Sequence, residues 1–167
     1  MSDIVRRILV PVDFSVHSQH VTRYACELAA RLGARVELLH VVDDPFLARA
    51  LGPELYPGGS AETAEQLVAD ASTKLREAAI AARRHGAPVQ FVVLRGNPAR
   101  MIVKQASACD CDVIVMGTHA RTGVAHLILG SVAERVRRSA ACPVLTLNSV
   151  AGQHPDVHDL ELASVTV

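Results

Sequence analysis

The sequence predicts an α/β fold built on a parallel sheet, and three observations predict it. Short runs of branched apolar residues alternate along the chain with longer segments of helical periodicity, which implies a parallel sheet joined by right-handed crossovers. Apolar residues make up 50% of the chain but aromatics only 3%, with no Trp, so Val, Leu, Ile and Ala must fill the core. The 167 residues suit one domain. A domain of that size buries roughly two-thirds of its unfolded surface and needs no covalent staple.

The first strand is Ile8-Leu9-Val10-Pro11-Val12, with Pro11 at its end because proline cannot donate to a ladder. After the loop Asp13-Phe14-Ser15, apolar residues recur at Val21, Tyr24, Ala25, Leu28, Ala29 and Leu32, one face of a helix. Ser18 is its expected N-cap and Gly33 its terminator. Val36 to Val42 is the second strand. Asp43 to Ser60, polar and carrying Pro and Gly, reads as a connection. Thr63-x-x-Gln66 resembles a capping box for a helix with Leu67, Ala71, Leu75, Ala78 and Ala82 on one face, ending at Gly86. Val89 to Leu94 is the third strand, and Asn97-Pro98 opens a helix with an N-cap and a first-turn proline. Asp112 to Met116 is the fourth strand, stopping at Gly117. Ser131-x-x-Glu134 is the expected capping box of a helix carrying Val132, Val136 and Ala140, and Pro143 to Leu147 is the fifth strand. Residues 1–148 form the expected domain and 149–167 a C-terminal tail.

Seventeen basic residues balance seventeen acidic ones, so no nucleic-acid footprint is expected. No apolar run approaches the roughly 18 residues that span a bilayer, and the run after Arg7 is too short for a signal-peptide core. A cytoplasmic location and no membrane partner are the expectations. Cys26, Cys109, Cys111 and Cys142 match neither a disulfide framework nor a zinc pattern and read as buried or half-buried free thiols. His17-x2-His20 and His154-x3-His158 lack a third ligand, so no metal site is expected.

In an open α/β sheet, ligands bind beyond the carboxyl ends of the strands. Asp13 follows the first strand and His40-Val41-Val42-Asp43 closes the second. After the fourth comes Gly117 to Ser131, with glycines at both ends, leading into a helix. Glycine lets backbone amides approach an anion, and a helix N-terminus supplies unpaired N–H groups with partial positive charge. Phosphate binding is the chemistry suggested, although no Gly-Lys-Ser/Thr of a Walker loop is present.

Several motifs together carry a family resemblance. They are Val10-Pro11-Val12-Asp13-Phe14-Ser15, Gly96-Asn97-Pro98-Ala99, Asp112-Val113-Ile114-Val115-Met116-Gly117-Thr118-His119, Leu129-Gly130-Ser131-Val132-Ala133-Glu134-Arg135-Val136 and Cys142-Pro143-Val144-Leu145. In order and spacing they resemble the universal stress proteins, from about residue 5 to 148. The resemblance implies a doubly wound, Rossmann-like sheet of five strands in the order 3-2-1-4-5, flanked by four helices. It also implies frequent dimers and, in a subset, binding of ATP or AMP. That subset carries Gly-x2-Gly-x9-Gly-Ser/Thr, matched here by Gly117, Gly130 and Ser131, with Ala120 at the second glycine. A left-handed backbone at Ala120 costs about 1 kcal/mol, and a right-handed one costs only closeness of approach. By analogy Asp13 meets the nucleoside, and Pro11, Val12 and Val41 form its apolar wall. Gly117, Gly130, Ser131 and Val132 offer donors to the phosphates, and Arg121 reaches a terminal phosphate. Met116, His119, Ala120 and Ala133 complete the expected nucleotide-binding set.

The expected function is an adenine-nucleotide binding regulatory module of a stress response, taking ATP or AMP, with Mg2+ as a further expected companion. A homodimer through the fifth strand is expected, since an open strand edge templates pairing. The alternative is a nucleotide-free dimeric interaction protein of the same fold. No enzyme is expected beyond slow ATP hydrolysis, because no general base or arginine finger is evident.

Overall fold

Residues 8 to 12 alternate between two apolar environments, and that alternation organises the molecule. The computed structural model describes residues 5–43, 61–118 and 130–148. Within them the strands are β1 (Arg7–Pro11), β2 (Arg35–Val42), β3 (Val89–Arg95), β4 (Val113–Gly117) and β5 (Val144–Leu147). The α-helices are α1 (Val16–Leu32), α2 (Ala61–Ala82), α3 (Pro98–Ala108) and α4 (Ser131–Ser139), with a 3-10 turn at Arg83–His85. The five strands form one parallel sheet in the order β3-β2-β1-β4-β5. The expected α/β fold and strand order are therefore those observed.

Successive side chains on a strand point to opposite faces. Ile8, Val10 and Val12 of the β1 segment face α1 and α2, packing with Val21, Ala25, Leu75 and Ala79. Leu9 faces α3 and α4, with Leu39, Ile102, Ile114 and Val136. Both faces of the central strands are thus covered, which is why their sequences read as continuous apolar runs. Among the described residues no helix is long and apolar enough to cross a membrane.

Two caps differ from expectation, and both differences have a local cause. The N-cap of α1 is Ser15, not Ser18. Asp13 Oδ1 accepts from the Ser15 hydroxyl (2.6 Å) and from its N–H (3.0 Å), leaving Ser15 Oγ to accept the Ser18 N–H (3.1 Å). Ser18 lies inside the helix and donates its own hydroxyl back to Ser15 O (2.9 Å). The N-cap of α4 is Gly130, with no side-chain cap, so Ser131-x-x-Glu134 is not a capping box. Glu134 instead pairs with Arg138 one turn on, at 2.6 Å. Likewise α2 already runs from Ala61, placing Thr63 inside it, and Gln66 Nε2 donates to Asp70 Oδ1 (3.0 Å). Gly33 at +67° and Asn97, which accepts the Arg100 N–H, close α1 and open α3 as expected.

Candidate functional site

The carboxyl ends of β1, β2 and β4 open onto a cavity of about 520 Å3, within the roughly 300–1,000 Å3 usual for small-molecule sites. Of the expected nucleotide-binding residues, Pro11, Val12, Asp13, Val41, Met116, Gly117, Gly130, Val132 and Ala133 line this one cavity. Ser131 begins α4 as an exposed residue and is not part of the lining. His119, Ala120 and Arg121 lie outside the described residues, as do the 44–60 connection and the 149–167 tail with His154 and His158.

The β1–α1 loop forms one wall. Its Asp13 carboxylate is held by Ser15, so the group that faces the cavity also organises the start of α1. Phe14 adopts a left-handed backbone (φ 63°), a real outlier for a bulky residue. Its ring lies 4.3 Å from that of His40. His40 Nδ1 is 2.7 Å from Val12 O, and a carbonyl only accepts, so Nδ1 carries the proton and His40 braces the end of β1. His17, on the first turn of α1, places its imidazole against Gly117. A Cβ at residue 117 would sit 2.5 Å from His17 Cδ2 and Nε2. The backbone there is not in the left-handed region, so a side chain at 117 meets a packing conflict with the imidazole, the end of a flexible side chain that would have to move.

The opposite wall is the start of α4. Gly130 N–H donates to Thr118 O (2.6 Å), joining the end of β4 to the start of α4. Thr118 is itself buried, with its N–H on Leu147 O (3.1 Å) and its hydroxyl on Asn148 Oδ1 (2.9 Å). The Gly130 amide, expected as a phosphate donor, is thereby committed to the protein. The first intrahelical acceptor is Gly130 O, bonded by Glu134 N–H (2.9 Å). Ser131, Val132 and Ala133 therefore form the first turn of a helix whose N-cap residue, Gly130, has no side chain to cap with, and Val132 and Ala133 line the cavity.

A third contribution comes from α2, which sequence reasoning did not place at the site. Leu67, Asp70, Ala71 and Lys74 line the cavity at offsets of 3, 4 and 7, one stripe of that helix. The same periodicity was visible in the sequence, but it is also the pattern of an ordinary core face. Among the described lining residues the carboxylates are Asp13, Asp43 and Asp70, and Lys74 is the sole Lys or Arg. These walls suit a neutral, hydrogen-bonding moiety better than a bare polyanion. No group of three or more His, Cys, Asp or Glu among the described residues has metal-holding geometry.

Comparison with known proteins agrees with the architecture. Residues 5–148 match the universal stress protein family. A universal stress protein of Methanocaldococcus jannaschii, MJ0531, is 34% identical over 147 residues, covering 87% of this chain and 83% of the relative. The solved structure of MJ0577, from the same organism, superposes with a TM-score of 0.75 at 26% identity, covering 88% of this chain and 98% of that one. A universal stress protein from Archaeoglobus fulgidus in complex with dAMP superposes with a TM-score of 0.56 at 25% identity, covering 86% and 98%. With the sheet order, the cavity and these matches in agreement, the chain belongs to the universal stress protein family.

Proposed function

We propose that this protein is an adenine-nucleotide binding regulatory module, a dimer whose cavity takes AMP or ATP. The observation that carries the reading is the start of α4, behind a glycine N-cap, opening onto the same cavity as Asp13. A phosphate belongs at such a helix start, where unpaired amides and the helix dipole converge. The Asp13 carboxylate, an acceptor, suits the hydroxyls or amino group of a nucleoside, and Val12, Val41 and Met116 give its ring an apolar surround. The dAMP held by the Archaeoglobus relative is of this chemical class. Because three carboxylates oppose one ammonium on the described walls, ATP enters best with Mg2+ neutralising part of its charge. Gly117, Ser131 and the segment with His119, Ala120 and Arg121 complete the proposed phosphate side. Binding is the proposed role of the site, and a cytoplasmic location remains part of the reading.

The test is thermal unfolding of ligand-stripped protein with Mg-ATP, AMP or GTP, for the wild type and Ser131→Pro. Proline is favoured at the first helical position, and Gly130 (ψ 144°) already has the extended backbone that precedes proline. The variant deletes one first-turn N–H and the hydroxyl while sparing the helix. A nucleotide at 100 times its Kd adds about 2.7 kcal/mol to the wild type, and the variant should show a smaller shift. No shift with any adenine nucleotide at millimolar concentration overturns the proposal in favour of a nucleotide-free interaction protein. Equal shifts with GTP overturn the adenine preference.

A further inference from the structure

At the opposite end of the sheet from the cavity, two thiols lie side by side. Cys111 stands just before β4 and Cys142 just before β5. Because β4 and β5 pair in register from Ile114↔Val144, the residues that precede them are neighbours across the sheet edge, though 31 apart in sequence. Cys111 Sγ and Cys142 Sγ are 3.9 Å apart, which is thiol contact without a bond. Both are free cysteines; Cys111 is buried and Cys142 half-buried. The surroundings hold the pair in place. Asp112 accepts the N–H groups of Arg6 (2.9 Å) and Arg7 (2.8 Å), tying the residue after Cys111 to the start of β1. Cys142 is followed by Pro143, whose carbonyl accepts Ile114 N–H (3.0 Å).

We propose that Cys111 and Cys142 are an oxidisable pair that closes to a disulfide on exchange with a low-molecular-weight disulfide of the glutathione class. The reaction has two steps, set by access. Cys142, the more exposed, attacks as thiolate. One small-disulfide S–S bond breaks, a Cys142–glutathione bond forms, and one glutathione thiolate leaves. Cys111 then gives its proton to solvent, and its thiolate attacks Cys142 Sγ, expelling the second glutathione thiolate. Two protein thiols are oxidised and one small disulfide is reduced to two thiols. Burial, with Cys142 beside it, pushes the Cys111 thiol up to about 12, so the second step quickens with rising pH. The closed loop contains β4 and α4, the elements that place Gly117 and Gly130 at the cavity. Closing it restricts the unfolded chain, so the oxidised form should unfold at a higher temperature.

The other cysteines do not share this geometry. Cys109 Sγ donates toward Ala106 O, within its own chain turn (3.8 Å). Cys26 is fully buried on the face of the sheet that α1 and α2 cover, away from Cys111 and Cys142, which pack on the other face.

The experiment equilibrates the full-length folded protein in glutathione buffers of decreasing GSH to GSSG ratio, quenches it with a maleimide and reads intact mass and digest peptides. The expected product is a monomeric chain two hydrogens lighter, carrying two fewer maleimides, whose cross-linked peptide joins Cys111 to Cys142. Its thermal midpoint should lie several degrees above that of the reduced protein and return on reduction. Cys142→Ser and Cys111→Ala should each abolish the product, and Cys26→Ser should leave it intact. A Cys142–glutathione adduct that persists at equilibrium, a bridge involving Cys109, or a bridge between two chains overturns the proposal. So does a wild type that forms the bridge only after unfolding. The wild-type readout stands even if the Cys111→Ala variant fails to fold.

Discussion

Gly117 and His17 show how one small residue holds a site open. The His17 ring occupies the space a side chain at 117 would need, at 2.5 Å from a built Cβ. Real Cβ atoms do not sit that close, so Gly117→Ala must push the imidazole out of the junction between α1 and β4. Overpacking costs about 1–3 kcal/mol where the neighbour cannot give, and because the imidazole is the movable end of a half-buried side chain the low end, about 1 kcal/mol, applies. Because the backbone at 117 needs no left-handed conformation, the cost should come from the ring alone. The expectation is therefore coupling. Gly117→Ala should destabilise the wild type by that amount and the His17→Ala background by much less, read as urea midpoints in a double-mutant cycle. Equal costs in the two backgrounds would show that the ring is not what requires the glycine. Gly117 was legible as a site residue from its place at the end of an apolar strand before a Gly-bearing loop. His17 was not, because a histidine on a first helical turn carries no signal of what the turn packs against.

Helix starts divide the two walls of the cavity. At α1, Asp13 fixes the Ser15 hydroxyl, which caps the helix, and the cap is intrinsic to the protein. At α4 the N-cap residue is Gly130, which has no side chain to cap with. Ser15→Ala should accordingly cost about 1 kcal/mol in urea denaturation. Ser131→Ala should change stability by no more than about 0.5 kcal/mol, as at an ordinary exposed position. A large loss on Ser131→Ala would mean that its hydroxyl caps α4 after all and would remove the basis for a phosphate at that end. The apolar faces of α1 and α2 were legible from their 3.6-residue period, because burial imposes it. The caps were less so. Ser15 and Ser18 offer the same chemistry three residues apart, and only the position of the Asp13 carboxylate decides between them. Ser131-x-x-Glu134 fits the capping-box pattern, yet Glu134 bonds forward to Arg138 rather than back to the cap.

At the scale of the whole molecule, strand order is the feature that residue pattern alone does not carry. The central strands are apolar on both faces, so β1 and β4 look alike to any periodicity. Their adjacency, like that of Cys111 and Cys142, exists only after long-range pairing; the family motifs rather than the apolar pattern supplied it. Among the described residues the same pairing leaves β5 at an edge, bonded to β4 on one side. Ile114 N–H donates to Pro143 O and Thr118 N–H to Leu147 O. Carbonyls alternate in direction along a strand, so residues 143, 145 and 147 face β4, and Val144 and Thr146 present their N–H and C=O groups to the open side. If β5 is the dimer edge, Thr146→Pro deletes an outward donor without touching the β4 ladder, and Leu145 already has the extended backbone that precedes proline. In a symmetric pair the loss occurs twice. At about 1 kcal/mol each, that is about 2 kcal/mol, or roughly thirtyfold in the dimer Kd. Sedimentation should show the wild type as a dimer and Thr146→Pro dissociating at correspondingly higher concentration, with unchanged far-UV circular dichroism. A variant that dimerises as tightly as the wild type would move the interface off β5. A wild type that stays monomeric throughout the micromolar range would remove the dimer from the proposal and leave the exposed edge to a different partner.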